Sequence, residues 1–373
     1  MRVHLVDSTA LRRRFMDLPY RIYRRNHCWI PPLRAEMAVT LSPKKNPFFK
    51  HVDHALFLAS DGSRDVGRIA VFHNRKHNNV YKTNIGMFGF LEMINDPVVT
   101  TQLVASALEW LRPFGAMTLR GPFNPDINSP CGMLLDAYDQ PPMVYSIYNN
   151  PYYPAHLEAL NFSKVKDMLG YDITAPVALP GHYRELSRTL EQENGFTVRK
   201  VNLKKYSHEI EHVKQVYREA WSENWGALPL DDEEFSHLAK ELKVRLDPDM
   251  TYMAEVNGAP VGFSIAIPNI NEALAHLPNG RLFPFGWARL LWHESKLSSF
   301  RVFAMGVTKP FRSLGIDSAF YWRTYETGLA RGFRRGEMSW VFEENSYMLG
   351  ALQKIGARKV KTWRIFERKI DQY

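Results

Sequence analysis

Cysteine is scarce in this chain, with two in 373 residues. Cys28 and Cys131 stand far apart and in no metal-ligand spacing. That excludes a disulfide-stapled fold and suggests a reducing compartment. Long apolar runs are also missing. None reaches the roughly 18 residues that span a bilayer, and the opening MRVHLVDSTALRRRF lacks the apolar core of a secretory signal. The thirteen histidines form no HExxH or HxE…CxxC pattern, so no metal is expected. No helix-turn-helix or aromatic-basic RNA motif is evident, which makes nucleic acid an unfavoured partner despite a formal charge of +9. These absences point to a cytoplasmic protein, with peripheral contact to the inner face of the membrane left open.

What is present is a repeat. DGSRDVGRIAVFHN (61–74) and VNGAPVGFSIAIPN (256–269) align without a gap, and from Val66 to Val261 the offset is 195. The same offset returns downstream, where Tyr152, Leu157 and Lys164 fall on Tyr347, Leu352 and Lys359. A repeat of this length is one domain built twice, not a solenoid. With 45% apolar residues, 13% of the chain being aromatic, each copy can bury a core. The expected division is 1–175 for the first domain, 176–195 for a linker and 196–373 for the second.

Both copies read as the same string of elements. Each has a first strand, a helix, and a hairpin at Asp61-Gly62 or Asn257-Gly258. A further strand, a long helix, another strand, a short helix and a closing strand follow. Matching Gly89 to Gly306 gives an offset of 217 after the hairpin, so copy two carries an insertion around 270–300. Copy one has its own insertion around 125–147. Insertions on a shared framework usually carry specificity.

The second copy contains a strand, a Gly-bearing loop and a helix start: VFAMGVTKPFRSLGIDSAF, 302–320. This is an anion-binding arrangement. Lys309 and Arg312 bring positive charge, Ser313, Leu314 and Gly315 form the turn, and the free amides of the helix start add to it. A pyrophosphate would be held there. The matching FGFLEMINDPVVT (88–100) sets Glu92 against Lys309 and Asn95 against Arg312, with Asp96 beside them and no glycine. The first copy is therefore expected to hold no cofactor.

These residues resemble the GCN5-related N-acetyltransferase (GNAT) superfamily. Its RxxGxG/A loop is matched at Arg312 and Gly315, with Asp317 standing at the last position. Its N-x-x-A-x-x-x-Y-x-K-x-G-F pattern is partly matched by ENSYMLGALQKIGAR at Asn345, Lys354 and Gly356. Leu352 occupies the place of the Tyr that in many members protonates the leaving thiolate. The resemblance implies an α/β fold with a mixed α+β sheet, two tandem GNAT-like domains, and acyl-CoA as co-substrate. NPFF (46–49), VGRIAVFHN and GPFNPDINSPCGMLLDAYDQPP further resemble a branch of tandem GNAT proteins, some associated with bacterial sphingolipid synthesis.

On that resemblance, Met305 and Val307 offer backbone partners to pantetheine. Lys309, Arg312, Ser313, Leu314 and Gly315 hold the pyrophosphate. Asn345 holds a ligand amide or caps a helix. Glu343 or Glu344 is the base that neutralises an attacking amine, and Tyr347 is a substitute acid, although Tyr152 matches it in the other copy. Residues 281–296 mix Leu282, Phe283, Phe285, Trp287, Leu290, Leu291 and Trp292 with Arg281, Arg289 and Lys296. They line an acyl groove, lie on a membrane, or pack on the domain. The expected function is an N-acyltransferase moving a long acyl group from acyl-CoA to an amine such as a sphingoid base. The alternatives are an aminoacyl-transfer type of tandem GNAT enzyme, a basic nucleic-acid-binding regulator, and a catalytically dead scaffold.

Overall fold

A computed structural model describes residues 1–175 and 182–370. The first elements are strand β1 (Arg2–Leu5), helix α1 (Thr9–Ile22), helix α2 (Arg34–Thr40) and the hairpin β2 (Val52–Asp61) and β3 (Arg64–Asn74). Then come α3 (Arg75–Tyr81), β4 (Ile85–Met93), α4 (Pro97–Leu111), β5 (Thr118–Gly121), β6 (Met133–Leu134), α5 (Tyr153–Glu158) and β7 (Ser163–Thr174). The second pass runs α6 (His182–Glu193), β8 (Phe196–Lys200), α7 (Tyr206–Ala220), α8 (Asp232–Lys243), β9 (Thr251–Val256) and β10 (Ala259–Pro268). It continues through α9 (Asn271–Leu274), α10 (Gly286–Glu294), β11 (Ser299–Val307), α11 (Ile316–Ala330), β12 (Arg335–Phe342), α12 (Ser346–Lys354) and β13 (Arg358–Lys369).

Local signals account for many boundaries. Ser8 caps α1 by accepting from the Leu11 amide, and Asp96 caps α4 through Val98. Asp231 and Glu234 form a capping box on α8. The turn between β9 and β10 has positive φ at both Asn257 and Gly258, as a two-residue hairpin loop with the twist of its strands requires.

Two compact units result, and neither is continuous in the chain. Unit 1 takes 1–168, 271–294 and the chain from Lys361 onward; unit 2 takes 169–270 and 295–360. Two of the unit boundaries therefore fall inside β7 and β13. In unit 1 the strand order is β1-β2-β3-β4-β5-β13, with β6 also on β13. β4 and β5 run parallel and the other registered pairs are antiparallel. The core lies under α4, where Val99, Leu103, Ala107 and Leu111 meet Val66, Ile69 and Val71. Residues 363–369 thus complete the sheet of the first copy, with Phe366 opposite Gly121 and Trp363 opposite Leu134.

Unit 2 has the order β7-β12-β11-β10-β9-β8, with β11 and β12 parallel. Helix α11 buries Ile316, Ala319 and Phe320 against Val198, Tyr252 and Val261. The segment expected as a linker contains α6, which is part of this unit. Residues 176–181 lie outside the described part.

Candidate active site

The site begins where β11 and β12 part. They pair from Ser299–Val302 to Arg335–Met338, and β11 then continues to Val307 beside β10 alone. A bulge at Phe303 falls at this point, between the pairs Ala304–Ile265 and Val302–Ala266. Phe303, Ala304, Met305 and Gly306 are half-buried, in contrast to buried Val302 and Val307. An opening between parallel strands, with partly exposed backbone along one of them, is a seat for an extended chain bearing amides.

After β11 come eight residues before α11 starts at Ile316. Lys309–Leu314 form a 3-10 turn, and Gly315 ends it at φ 79° and ψ 18°. The left-handed conformation suits glycine, and α11 begins directly after it. Arg312 is fixed by two backbone carbonyls, Nε to Val307 O at 3.1 Å and Nη2 to Ala220 O at 3.2 Å. Its guanidinium therefore ties the end of α7 to the end of β11. Lys309 pairs with Glu223. Asn194 donates to Leu314 O at 3.1 Å, so α6 supports the loop from behind. Ala220, Glu223 and Asn194 carry no motif, and sequence reasoning missed them.

Asp317, in the first turn of α11, accepts from the Tyr347 hydroxyl at 3.0 Å. Partial burial and the Asp317 carboxylate push the Tyr347 phenol up to about 12, so it stays protonated at neutral pH. Asn345 accepts from the Met348 amide at 3.1 Å, as a helix cap. Glu343 is half-buried and Glu344 exposed in the turn after β12. Leu352 is wholly buried in the core. Met305 and Val307 face Ser264 and Gly262 of β10. Every residue expected at the site thus falls on β11, the loop, or the turn and helix after β12.

Unit 1 shows what the same framework looks like without the loop. Gly67 and Gly262 pair with Met93 and Val307, and Arg68 and Phe263 with Glu92 and Gly306. The backbone bonds Ile94 N to Val66 O and Thr308 N to Val261 O match as well. From 93 to 307 the offset is 214. This corrects the glycine match at 217, which anchored on similar residue types where ladder hydrogen bonds decide the register. Glu92 stands opposite Gly306, not Lys309. Only three residues, 94–96, separate β4 from α4, so unit 1 has no counterpart of Arg312.

The gap beyond β4 is filled by the chain itself. Phe123 N donates to Phe88 O at 2.8 Å and Phe90 N to Asn124 Oδ1 at 2.6 Å. Phe88, Gly89, Phe90 and Leu91 are all buried. Tyr153 Oη accepts from Met93 N at 3.0 Å, and Tyr152 donates to Met93 O at 2.7 Å. Glu92 Oε2 accepts from Tyr23 at 2.6 Å and Tyr153 at 2.9 Å, with Arg68 Nη2 3.7 Å from the other oxygen. Burial raises the Glu92 carboxyl in spite of Arg68. In unit 2 the corresponding places hold Phe263 and Gly306, with the Trp221 ring stacked 5.3 Å from Phe263.

The insertion of copy two belongs to unit 1. Arg34 Nε donates to Asn279 O at 2.7 Å, and His276 stacks on His293 at 3.5 Å. The aromatic stretch does not pack inward: Phe283 is 80%, Phe285 79% and Trp292 64% exposed, and no residue of α10 is buried. Among the described residues no helix is long and apolar enough to cross a membrane.

Comparison with known proteins follows the same lines. No protein-family model matches the chain. It is 34% identical to the "Bacterial ceramide synthase" of Caulobacter vibrioides, over 98% of this chain and 96% of that one. It is also 34% identical to the protein YghO of Escherichia coli, over 95% and 92%. Among solved structures it resembles a tandem GNAT protein from the clavulanic acid biosynthesis pathway, with TM-score 0.59, 11% identity and full coverage of both chains. A GCN5-related N-acetyltransferase of Sphaerobacter thermophilus matches with TM-score 0.53 and 14% identity, covering 99% and 96%. These two show the GNAT fold, the first of them in tandem form.

Proposed function

The chain belongs to the family of the Caulobacter ceramide synthase and is an N-acyltransferase, and from that premise we propose that unit 2 takes acyl-CoA and passes a long acyl chain to a sphingoid base. The observation that carries this reading is the difference between the copies. Unit 2 has a half-buried strand edge at 303–306 and an eight-residue loop ending in left-handed Gly315. Unit 1 has a buried edge occupied by Phe123 and Asn124, and no loop. We therefore assign coenzyme binding to the second copy and a supporting role to the first.

In the groove, backbone groups of Met305 and its neighbours meet the pantetheine amides. The amides at the start of α11, with Lys309, Ser313 and Leu314 beside them, meet the pyrophosphate. Arg312 acts both as local charge and as the clamp that shapes the loop. The coenzyme supplies a thioester carbonyl as electrophile. An alkylammonium has a pKa near 10, so the attacking amine must first lose a proton, and Glu343 or Glu344 receives it. The nitrogen–carbon bond forms, the carbon–sulfur bond breaks, and sulfur takes up a proton. Tyr347, protonated and held by Asp317, is the group we assign to that end of the reaction; Asn345 is a cap first. The exposed aromatics at 283–292, with Arg281 and Arg289, suit a water–lipid interface, where a lipidic amine would be collected.

The experiment is mass spectrometry of products from C2 to C18 acyl-CoAs with long-chain and short amines. N-acyl product from long donors and a sphingoid base is expected. Product from short donors alone would overturn the lipid assignment. Arg312→Glu is expected to abolish coenzyme binding, and its Tm must be read alongside because the guanidinium also ties Val307 to Ala220.

A further inference from the structure

Unit 2 buries a carboxylate at the closed end of the opening between β11 and β12. Glu337 and Arg301 are register partners across the two strands, and each is 1% exposed. Ser339 follows Met338, the last residue of β12 in register with β11, so it stands at the first step of the opening. Its carbonyl is fixed by Arg301, which donates from Nε at 3.1 Å and from Nη2 at 2.8 Å. Its hydroxyl donates to Glu337 Oε1 at 2.7 Å. The carboxylate thus leans along β12 toward the opening. Glu337 Oε2 is buried with no hydrogen-bond partner among the described residues. A buried polar atom left unpaired costs stability, and its retention in a native core calls for a reason.

The first copy has no such device. Ile267, Arg301 and Glu337 are neighbours across three strands of unit 2. The matching neighbours in unit 1 are Phe72, Met87 and Arg120, and Arg120 donates to Glu367 at 2.7 Å. Two residues further on, Pro122 stands where unit 2 has Ser339. The hydroxyl and the carboxylate therefore belong to the copy that keeps its opening.

We propose, resting on the acyl-transfer reading of unit 2, that Ser339 and Glu337 remove the second proton of the acceptor nitrogen. A primary ammonium carries three hydrogens on nitrogen and the amide product carries one. The first proton goes to Glu343 or Glu344 before attack. Bond formation to the thioester carbon leaves a cationic nitrogen with two hydrogens. One passes to Ser339 Oγ while the hydroxyl proton of Ser339 passes to Glu337 Oε1. The carbon–sulfur bond breaks, and sulfur takes the proton of Tyr347. Water resets Glu337 and Tyr347 as the products leave. Ser339 touches the nitrogen, Glu337 acts through Ser339, and Arg301 holds the serine backbone in place.

The test compares Ser339→Ala, Glu337→Gln and the double variant with the parent chain, using the acyl-CoA and amine that the parent uses best in the C2 to C18 screen. Each single variant should lose about a hundredfold or more in kcat. Coenzyme A affinity and the KM for the amine should stay within about threefold. The double variant should be no slower than the slower single one, because all three break one path, whereas independent losses would multiply. A packing role would instead move Tm and coenzyme affinity together. If Glu337→Gln fails to fold, Ser339→Ala decides, because it keeps the carboxylate. Three results would each overturn the proposal: an unchanged kcat in Ser339→Ala, losses that multiply in the double variant, or a fall in coenzyme affinity as large as the fall in kcat. An active parent with active variants removes this relay alone. A parent that makes no N-acyl product in the screen removes the acyl-transfer reading, and the relay with it.

Discussion

Replacing Gly315 by alanine isolates the loop from the rest of unit 2. At φ 79° the left-handed backbone costs an L residue about 1–2 kcal/mol. The new Cβ would also lie 2.6 Å from Leu190 Cδ1. That atom is the tip of a flexible side chain and can yield, but α6 must give with it. We expect the Tm to fall by about 2–8 °C, at about 2–4 °C per kcal/mol for a domain of this size. Gly332 is the matched control: its φ is 84°, and no atom lies within 4 Å of the Cβ position. Gly332→Ala should carry the same backbone cost and a similar Tm loss. The two differ in what they disturb. Shifting Gly315 misdirects the first amides of α11, and a hydrogen bond to a charged group is worth about 1.5–3 kcal/mol. Losing one such bond lowers coenzyme affinity by about 10- to 150-fold. Gly332→Ala should leave affinity unchanged. Calorimetric titration with coenzyme A, paired with thermal unfolding, reads both quantities. Equal affinities for the two variants, or equal losses, would refute a pyrophosphate seat at this turn.

Other expectations follow from the same geometry. Tyr347→Phe removes the hydroxyl held by Asp317 and should lower kcat about tenfold or more with little change in coenzyme affinity. A parallel loss of affinity would make the residue structural. Burial raises the Glu92 carboxyl, so its contribution to stability is full below the unfolded value near 4.3 and is lost as pH rises through the folded value. Glu92→Gln should therefore flatten the decline of Tm as pH rises above about 4; an unchanged slope would show that the group is not buried as described. Trp287→Asp with Trp292→Asp should reduce cosedimentation with anionic vesicles severalfold while leaving Tm within about 1 °C, because both residues are exposed. Retained vesicle binding would remove α10 from any membrane role.

The strand, loop and helix around 302–320 were legible because each rests on neighbouring residues: β-branched and aromatic alternation, Pro310, Gly315 and the polar start of α11. The pairing of Asp317 with Tyr347 was not, since the two stand thirty residues apart and neither is a residue type that the loop or helix pattern specifies. The RxxGxG/A pattern has glycine or alanine where Asp317 stands. In the structure its carboxylate accepts a phenol hydrogen bond. Tyr152, the counterpart of Tyr347, bonds the last carbonyl of β4 instead. Matching residues in the two copies have taken different partners.

By itself the sequence determined that one unit was built twice, where its hairpins turn, and which copy carries the glycine loop. Those properties depend on residues within a few positions of one another. Only the tertiary structure decided the true register of 214 between β4 and β11, the closing of the first groove by Phe123 and Asn124, and the placement of 271–294 and of the chain from Lys361 in unit 1. A ladder register and a filled gap are set by hydrogen bonds and burial between residues far apart in the chain. Composition and periodicity carry no record of such partners.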